Sequence, residues 1–232
     1  MESVLAALAA TRVAAASSTA DRVAGAIREQ IAAGRLAPGA RLPEQAFAEA
    51  LKVSRNTIRE SFGQLVSERI LVREQHRGVF VAIPGPGDVR DVYRARRLIE
   101  PAAIRSGDLA GDPAATARVA AAVARGRGAA AAGDWSAVAD ANQEFHRAVV
   151  ALAGSARLDR QMDLLLAEMR LIFHRMGAVR EFHEPYLHEN TRIADRLTAG
   201  RRAEAADELA AYLAAAENQI AARLPVDKLA GQ

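Results

Sequence analysis

The stretch Pro84-Gly85-Pro86-Gly87-Asp88 divides this chain more sharply than any other part of its sequence. Two prolines and two glycines in four residues interrupt regular structure, because proline lacks a backbone N–H and glycine loses the most conformational freedom on ordering. The only convincing strand pattern lies before this stretch, whereas the sequence after it reads as helices separated by short breaks. We therefore predict two domains of different construction, joined by a Pro/Gly linker at residues 84–88.

Charge is distributed unequally between these two parts. Residues 1–83 contain 11 basic and 8 acidic side chains, a net charge of +3, whereas residues 84–232 contain 20 of each. A local basic excess indicates a surface that meets a polyanion, although charges that are simply solvated would give the same excess. Cysteine is absent from the 232 residues, which excludes disulfides, iron–sulfur clusters, thiolate zinc sites and a cysteine nucleophile.

The first 18 residues are rich in alanine but lack the pattern of a signal peptide, because Glu2 comes early and Arg12 interrupts the apolar run. We expect residues 1–18 to form a flexible arm and residues 225–232 to form a loose tail. No apolar run reaches the ~20 residues that a membrane-spanning helix needs. Together with the lack of cysteine, this predicts a cytoplasmic protein without a membrane partner.

Residues 19–83 are predicted to form three short helices followed by a β-hairpin. A helical stripe of apolar residues covers 20–33, and Pro43 suits the first turn of a second helix. Ser54 is a suitable N-cap for a third helix at 55–69. Two short apolar and β-branched runs, 70–73 and 78–82, predict the hairpin. Three helices and a hairpin in this order make a winged helix-turn-helix.

The third predicted helix has polar side chains where a recognition helix enters the major groove. Arg55, Asn56 and Arg59 project away from its apolar face near the N-terminal end. That face is predicted from the spacing of Ile58, Phe62 and Leu65. Arginine can form two hydrogen bonds to guanine and asparagine can do so to adenine, so we predict DNA contacts rather than mere solvation. The full predicted DNA-binding set, with hydroxyls for phosphates and a basic wing for the minor groove, is Arg41, Ser54, Arg55, Asn56, Thr57, Arg59, His76, Arg77 and Gly78.

This domain resembles the GntR family of transcriptional repressors. The resemblance is carried by IREQIAAGRLAPGARL at 27–42, by LKVSRNTIRE at 51–60, and by the later runs Leu65-Val66 and Arg77-Gly78-Val79-Phe80-Val81. It implies that Arg55 and Arg59 contact bases or phosphates and that Gly78 lies in the wing. Gln45 stands where many members have an arginine, which implies a weaker or altered DNA contact at that position.

The second domain, residues 89–224, is predicted to be an all-α antiparallel bundle with helices at about 88–109, 112–132, 134–153, 155–177, 182–199 and 201–223. The patterns VYRARRLIE at 92–100 and NQEFH at 142–146 resemble the FadR subfamily, which has an FCD-type effector domain. That resemblance implies a small carboxylate or related metabolite bound inside the bundle. In many members it also implies a divalent metal held by an aspartate, a histidine four residues later and two further histidines.

At the four implied metal-ligand positions this chain has Asn142, His146, Asn190 and Tyr212, so one usual ligand remains. Amide and phenol oxygens are weak replacements for imidazole or carboxylate. A bound zinc or nickel ion stays open as an alternative, held by His146 with Asn142 and possibly by His188, two residues from Asn190. His174 and His183 are further candidates.

We predict instead an effector site with little or no affinity for metal, in which Arg96 attracts an anionic metabolite. Asn142, His146, Asn190 and Tyr212 would supply neutral hydrogen bonds to it. A simpler interpretation of Arg96 is a salt bridge to Glu100, four residues later on the same helix face.

Together these patterns predict a ligand-responsive transcriptional regulator, by default a repressor, that binds a pseudo-palindromic operator as a homodimer. Effector binding in the bundle would change the population of the DNA-binding state. Two other classes stay open. One is a metal-dependent hydrolase or lyase using His146 and Glu144, although no nucleophile–base–orienter set is visible. The other is a non-specific architectural DNA-binding protein, which should be basic throughout.

Overall fold

The computed structural model of the chain describes residues 6, 18–32, 34–106, 113–176 and 179–224. The expected arm and tail lie outside these residues apart from positions 6 and 18. Gly111 and Gly177, which lie at predicted boundaries between bundle helices, are outside them as well. The chain separates into two compact units. The first comprises Met1–Pro84 with Ala167–Arg175, and the second comprises Gly85–Leu166 with Met176–Gln232.

The first unit contains three helices and one hairpin within residues 18–84. Helix α1 spans Thr19–Ala32, α2 spans Glu44–Leu51, α3 spans Arg55–Ser67, strand β1 spans Leu71–Glu74 and β2 spans Gly78–Val81. The strands pair antiparallel, with Leu71 opposite Val81 and Glu74 opposite Gly78. The predicted winged helix-turn-helix is confirmed, with element ends shifted by one or two residues.

Pro43 is not the first helical residue of α2, as the sequence predicted, but its N-cap. Its backbone is extended, with φ −70° and ψ 114°, and the helix begins at Glu44. The reason lies in the two residues before it, which run beside the wing: Arg41 bridges Phe80, and the Leu42 N–H donates to the Val79 carbonyl at 2.8 Å. This pairing keeps the chain extended through Pro43.

The core of the first unit fixes which face of α3 is exposed. Ile58, Phe62 and Leu65 are fully buried, as their spacing predicted. The ring of Phe62 meets that of Phe47 from α2 edge to face, with centroids 5.7 Å apart. Burial of this face turns the opposite side of α3 toward solvent.

The second unit is an all-α bundle, which confirms the predicted fold class. Its helices within the described residues are α4 (Pro86–Ser106), α5 (Pro113–Ala131), α6 (Trp135–Ala151), α7 (Ala156–Met176, of which Ala167–Arg175 belongs to the first unit), α8 (Val179–Thr198) and α9 (Arg202–Arg223). Helix α9 packs against α4 and α8, and α6 packs against α4, α5 and α8. None of the helices in the described ranges is long and apolar enough to cross a membrane.

The predicted linker at 84–88 is shorter in the structure, because α4 already begins at Pro86. Proline is tolerated at the first position of a helix, where its missing N–H would have no partner. Asp88 stabilises this start, since its Oδ2 accepts a hydrogen bond from the Gly85 N–H at 2.8 Å. The Pro-Gly pattern therefore marks a helix start as well as a boundary.

Candidate nucleic-acid interface and buried polar cluster

The start of α3 is fixed by its N-cap. Ser54 has extended φ and ψ of −69° and 151°, and its Oγ accepts a hydrogen bond from the Thr57 N–H at 3.1 Å. The two hydroxyls lie 2.8 Å apart. This is the cap predicted from the sequence, and such a cap contributes about 1 kcal/mol to stability. It also places Arg55 and Asn56 in the first, solvent-exposed turn.

Three of the predicted DNA-binding residues lie on the exposed side of α3. The side chains of Arg55 and Arg59 are 60% and 58% exposed, and Asn56 is exposed as well. Helix N-terminal amides and cationic side chains are the groups that phosphates and base edges meet in helix-turn-helix proteins. The structure therefore brings the recognition-helix candidates together on an accessible surface.

An acidic residue that the sequence did not single out lies against these arginines. Oε2 of Glu44 accepts a hydrogen bond from Nε of Arg59 at 2.7 Å and lies 4.0 Å from Nη2 of Arg55. Oε1 of Glu44 lies 3.8 Å from Nη1 of Arg73 in β1. The partners belong to other elements, so no short-range pattern in the sequence could have revealed this contact.

The wing tip, residues 76–78, contains two residues with positive φ, a conformation that favours glycine. His76 and Gly78 have φ angles of 60° and 112°, and the second value is strained for any residue with a Cβ. A Cβ at Gly78 would lie 3.6 Å from Nε of Arg41, so these two candidates are neighbours. Arg77 is exposed, pairs with Glu74, and lies 5.6 Å from the centroid of the Phe80 ring.

A buried polar cluster occupies the second unit, and an ion pair lies at one end of it. Nε of Arg96 donates to Oε1 of Glu100 at 2.6 Å, and the other carboxylate oxygen of Glu100 lies 2.7 Å from Nδ1 of His146. All three side chains are at most 3% exposed. The salt bridge offered as the simpler interpretation of Arg96 is thus present. Glu100, which the sequence suggested only as its partner, joins α4 to α6.

The cluster continues from His146 to the other predicted effector residues. Nε2 of His146 lies 3.0 Å from the Tyr212 hydroxyl, and the two rings are stacked with centroids 5.5 Å apart. The Tyr212 hydroxyl lies 3.5 Å from Oδ1 of Asn142, which accepts a hydrogen bond from Nδ2 of Asn190 at 2.8 Å. One chain of polar contacts therefore links all five predicted effector residues through Glu100.

The pKa shifts in the cluster indicate which atoms of Glu100, His146 and Tyr212 carry a proton. Burial alone would raise the pKa of Glu100, but the charge of Arg96 and the contact with His146 hold it below its ordinary value. Burial lowers the pKa of His146, and Glu100 opposes this without reversing it. Burial also raises the pKa of Tyr212 well above its ordinary value. An ionised carboxylate only accepts, so Nδ1 of His146 carries the proton and Nε2 accepts from the Tyr212 hydroxyl.

Two atoms of the cluster lack a hydrogen-bond partner within the described part of the chain: Nη2 of Arg96 and Oδ1 of Asn190, both buried. Buried polar atoms usually have a partner, which can be protein, water or ligand. Two aromatic rings lie next to the cluster, and neither was indicated by the sequence as a ligand contact. Arg96 lies 4.8 Å from the Tyr93 ring centroid, and the Tyr186 ring lies 4.7 Å from that of Tyr212.

The donor set does not fit the divalent metal that the FCD resemblance implies. The Nε2 lone pair of His146, which a metal would need, is directed at the Tyr212 hydroxyl. Oδ1 of Asn142 already accepts from Asn190, and a phenol with a raised pKa is a poor ligand. Within the described residues, no group of three or more histidine, aspartate or glutamate side chains could hold a metal ion.

The histidines proposed to compensate differ in their exposure to solvent. His188 is exposed although Asn190, two residues later, is buried, and His174 is exposed as well. His183 is buried with its ring edge against Phe182, with centroids 5.0 Å apart. Of these four histidines, His146 makes the contacts with Glu100 and Tyr212 described above.

Comparisons with known proteins agree with both halves of this architecture. The family model described as bacterial regulatory proteins, gntR family, matches residues 19–81, and the FCD domain model matches residues 91–215. A solved transcriptional regulator GntR from Rhodococcus sp. RHA1 is 40% identical, with a TM-score of 0.82 over 90% of this chain and 100% of that one. The chain belongs to the GntR family and carries an FCD domain. It is a ligand-responsive, DNA-binding transcriptional regulator rather than an enzyme, as the sequence predicted.

Other relatives of this GntR-family protein are also regulators. The uncharacterized HTH-type transcriptional regulator BphR of Paraburkholderia xenovorans is 29% identical over 175 residues, which cover 69% of this chain and 70% of that protein. The galactonate operon transcriptional repressor of Escherichia coli is 40% identical over 63 residues, or 27% and 28% of the two chains. The second similarity is thus confined to a short part of each chain.

Proposed function

We propose that this regulator binds its operator through the N-terminal end of α3 and the tip of the wing. The observation that supports the proposal is the capped start of α3. Its exposed side carries the guanidinium groups of Arg55 and Arg59, and its opposite side is fully buried. Arg55, Asn56 and Arg59 contact base edges in the major groove, and the Ser54 and Thr57 hydroxyls contact phosphates. The wing contacts the minor groove through Arg41, His76, Arg77 and Gly78.

We further propose that the protein is a homodimeric repressor whose two-fold axis matches a pseudo-palindromic operator. Similarity to a relative named as a repressor supports this assignment. Its place of action is the cytoplasm, where a bacterial regulator meets chromosomal DNA. Effector binding in the second unit shifts the protein toward a state with lower operator affinity, which requires the effector to bind the two states differently.

Single arginine substitutions in α3 test the DNA assignment. Arg59→Ala and Arg55→Ala should each weaken binding to the operator by about 1–3 kcal/mol, because each removes a guanidinium that can make two hydrogen bonds to one base. The probe is a duplex that the wild-type protein selects from a random-sequence pool, and the measurement is its dissociation constant at fixed salt concentration.

Arg35→Ala is the matched control for this experiment. It removes the same charge from an exposed arginine of the same unit, whose Nε donates a hydrogen bond to Oε1 of Gln30. We expect it to bind the selected duplex nearly as tightly as wild type. Wild-type affinity in both Arg55→Ala and Arg59→Ala would refute the placement of the recognition surface.

We also propose that the polar cluster of the second unit is an effector site that functions without a metal. The buried Nη2 of Arg96 supplies a positive donor for an anionic group, because only its Nε is engaged by Glu100. Oδ1 of Asn190 is available to a donor group of the effector. Asn142, His146 and Tyr212 complete the site with neutral hydrogen-bonding groups.

Metal titration tests the metal-free part of this proposal. Calorimetric titration of the chelator-treated chain with zinc or nickel should show no saturable site that is lost in His146→Ala. The combined substitution Asn142→Asp, Asn190→His and Tyr212→His rebuilds the ligand types of the family pattern and should gain such a site. Tight wild-type binding that disappears in His146→Ala would contradict the proposal.

A further inference from the structure

Glu44 is shared by arginines of two different elements of the DNA-binding unit. Its carboxylate contacts Arg59 and Arg55 of α3 and Arg73 of β1. The Glu44 side chain is only 19% exposed, whereas those of the three arginines are 50% to 60% exposed. The contact is therefore a partly buried carboxylate at the base of an exposed cationic surface, rather than a pair of freely solvated charges.

The geometry of the Arg59 contact matters for base recognition. Glu44 accepts a hydrogen bond from Nε of Arg59, which leaves both terminal amino groups of that guanidinium outside the bond. A guanine offers O6 and N7, and two N–H groups of one guanidinium pair with them together. An arginine held at Nε presents its outer edge in a fixed direction, so less conformational entropy is lost when it meets a base.

The charge of Glu44 has a second consequence. Three guanidinium groups would attract any phosphate backbone, and one carboxylate among them reduces that attraction. Binding to DNA of arbitrary sequence depends almost wholly on such phosphate contacts, whereas operator binding also gains from base contacts. A negative charge at this position therefore lowers the affinity for DNA of any sequence, so that binding depends more on the base contacts of the operator.

We propose that Glu44 is a positioning residue for sequence readout. It holds Arg59 in the orientation that pairs with a base, and its charge lowers the affinity of the arginine surface for the phosphate backbone of any DNA. This inference rests on the proposed assignment of Arg55 and Arg59 to DNA contacts, and adds to it the residue that makes the contact selective.

The test compares the full-length protein on two duplexes, one selected by the wild type from a random pool and one scrambled to the same composition. The quantity measured is the ratio of the dissociation constants for the scrambled and selected duplexes. Glu44→Ala should lower this ratio about tenfold, within the range expected for one two-hydrogen-bond base contact. Glu44→Gln should keep it within about threefold of wild type, because an amide oxygen still accepts from Nε, while both duplexes bind more tightly.

Glu49→Ala is the matched control. It removes a carboxylate from the same helix, but one that is exposed and accepts a hydrogen bond from Gln45. Its ratio should equal that of wild type. Selection from a random pool by Glu44→Ala should also show relaxed preference at one base position of each half-site, a change that loss of stability alone would not produce.

Three results would overturn the inference. The first is an unchanged ratio in Glu44→Ala, and the second is an equal fall of the ratio in Glu49→Ala. The third is a fall of the ratio in Glu44→Ala that comes with a lower melting temperature and occurs equally in Glu44→Gln, which would make Glu44 only a structural residue. The underlying assignment fails separately, because it requires Arg59→Ala to lose affinity for the selected duplex whatever Glu44 does.

Discussion

Glu100→Ala is expected to lower the free energy of unfolding of the second unit by about 3–5 kcal/mol, the usual cost of removing one partner from a buried ion pair. The substitution leaves the Arg96 guanidinium charged and buried without its carboxylate, and it removes the acceptor for Nδ1 of His146. Because Glu100 is fully buried, water cannot replace it without local opening. The loss should therefore exceed that of any exposed ion pair of the bundle.

The measurement uses the single tryptophan, Trp135, which begins α6 in the second unit. Urea unfolding followed by its fluorescence reports on this unit, at a pH near 7.5 where Glu100 is ionised. The pKa of Glu100 is lower in the folded state, so its stabilising contribution is complete above its unfolded pKa and is lost as pH falls through the folded one. The difference between variant and wild type should accordingly shrink in acid.

Glu144→Ala is the control for this prediction. Glu144 lies on α6 with a side chain that is 43% exposed, and it pairs with Arg147 at 3.1 Å. Partly exposed pairs of this kind contribute about 0–1 kcal/mol. If Glu100→Ala cost no more than Glu144→Ala, the cluster would have to rearrange around the missing carboxylate, and the stabilising role assigned to the buried ion pair would be wrong.

Phe62→Ala is expected to destabilise the DNA-binding unit by about 3–5 kcal/mol, because it empties the centre of that core. Phe62 is fully buried and its ring packs edge to face against Phe47. Domains of this size are stable by only about 5–15 kcal/mol, so the change removes a large part of the total. Operator affinity should fall with the population of folded protein, although Phe62 itself contacts no DNA in the proposed interface.

Hydrogen exchange followed by mass spectrometry can separate the two units in this experiment. Peptides from α1, α2 and α3 should exchange faster in Phe62→Ala, while peptides covering α6 and α9 should match the wild type. Phe62→Leu is the conservative control, and we expect it to cost less than about 1.5 kcal/mol because most of the apolar volume is kept. Equal effects of the two substitutions would show that cavity formation is not the cause.

Local patterns in the sequence predicted most of the secondary structure. Helix α3 is determined almost completely by two local features, the spacing of its apolar residues and the N-cap hydroxyl of Ser54. Each feature involves only residues within one or two helical turns. The two proline positions were misassigned, Pro43 as a first helical residue and Pro86 as linker. Proline is compatible with an extended segment and with the first turn of a helix. Pairing of residues 41 and 42 with the wing keeps Pro43 extended, whereas the hydrogen bond between Gly85 and Asp88 stabilises the helix start at Pro86.

The sequence predicted side-chain contacts only between residues that are close in the chain. Other members of the polar cluster were predicted from the family resemblance. Arg96 and Glu100 are one helical turn apart, so their pairing was accessible from spacing. The contact of Glu100 with His146 joins α4 to α6, and Glu44 reaches Arg59 and Arg73 in other elements. Such contacts depend on how the elements pack, which periodicity does not specify.

The two nitrogens of His146 are chemically different in this protein, and that makes the ring a natural reporter. Nδ1 donates to Glu100, while Nε2 receives the Tyr212 hydroxyl. A molecule that drew the hydroxyl away would alter the magnetic environment of Nε2 and leave Nδ1 largely as it was. Nitrogen resonances of this one imidazole can thus test whether a molecule occupies the cluster, without any label attached to that molecule.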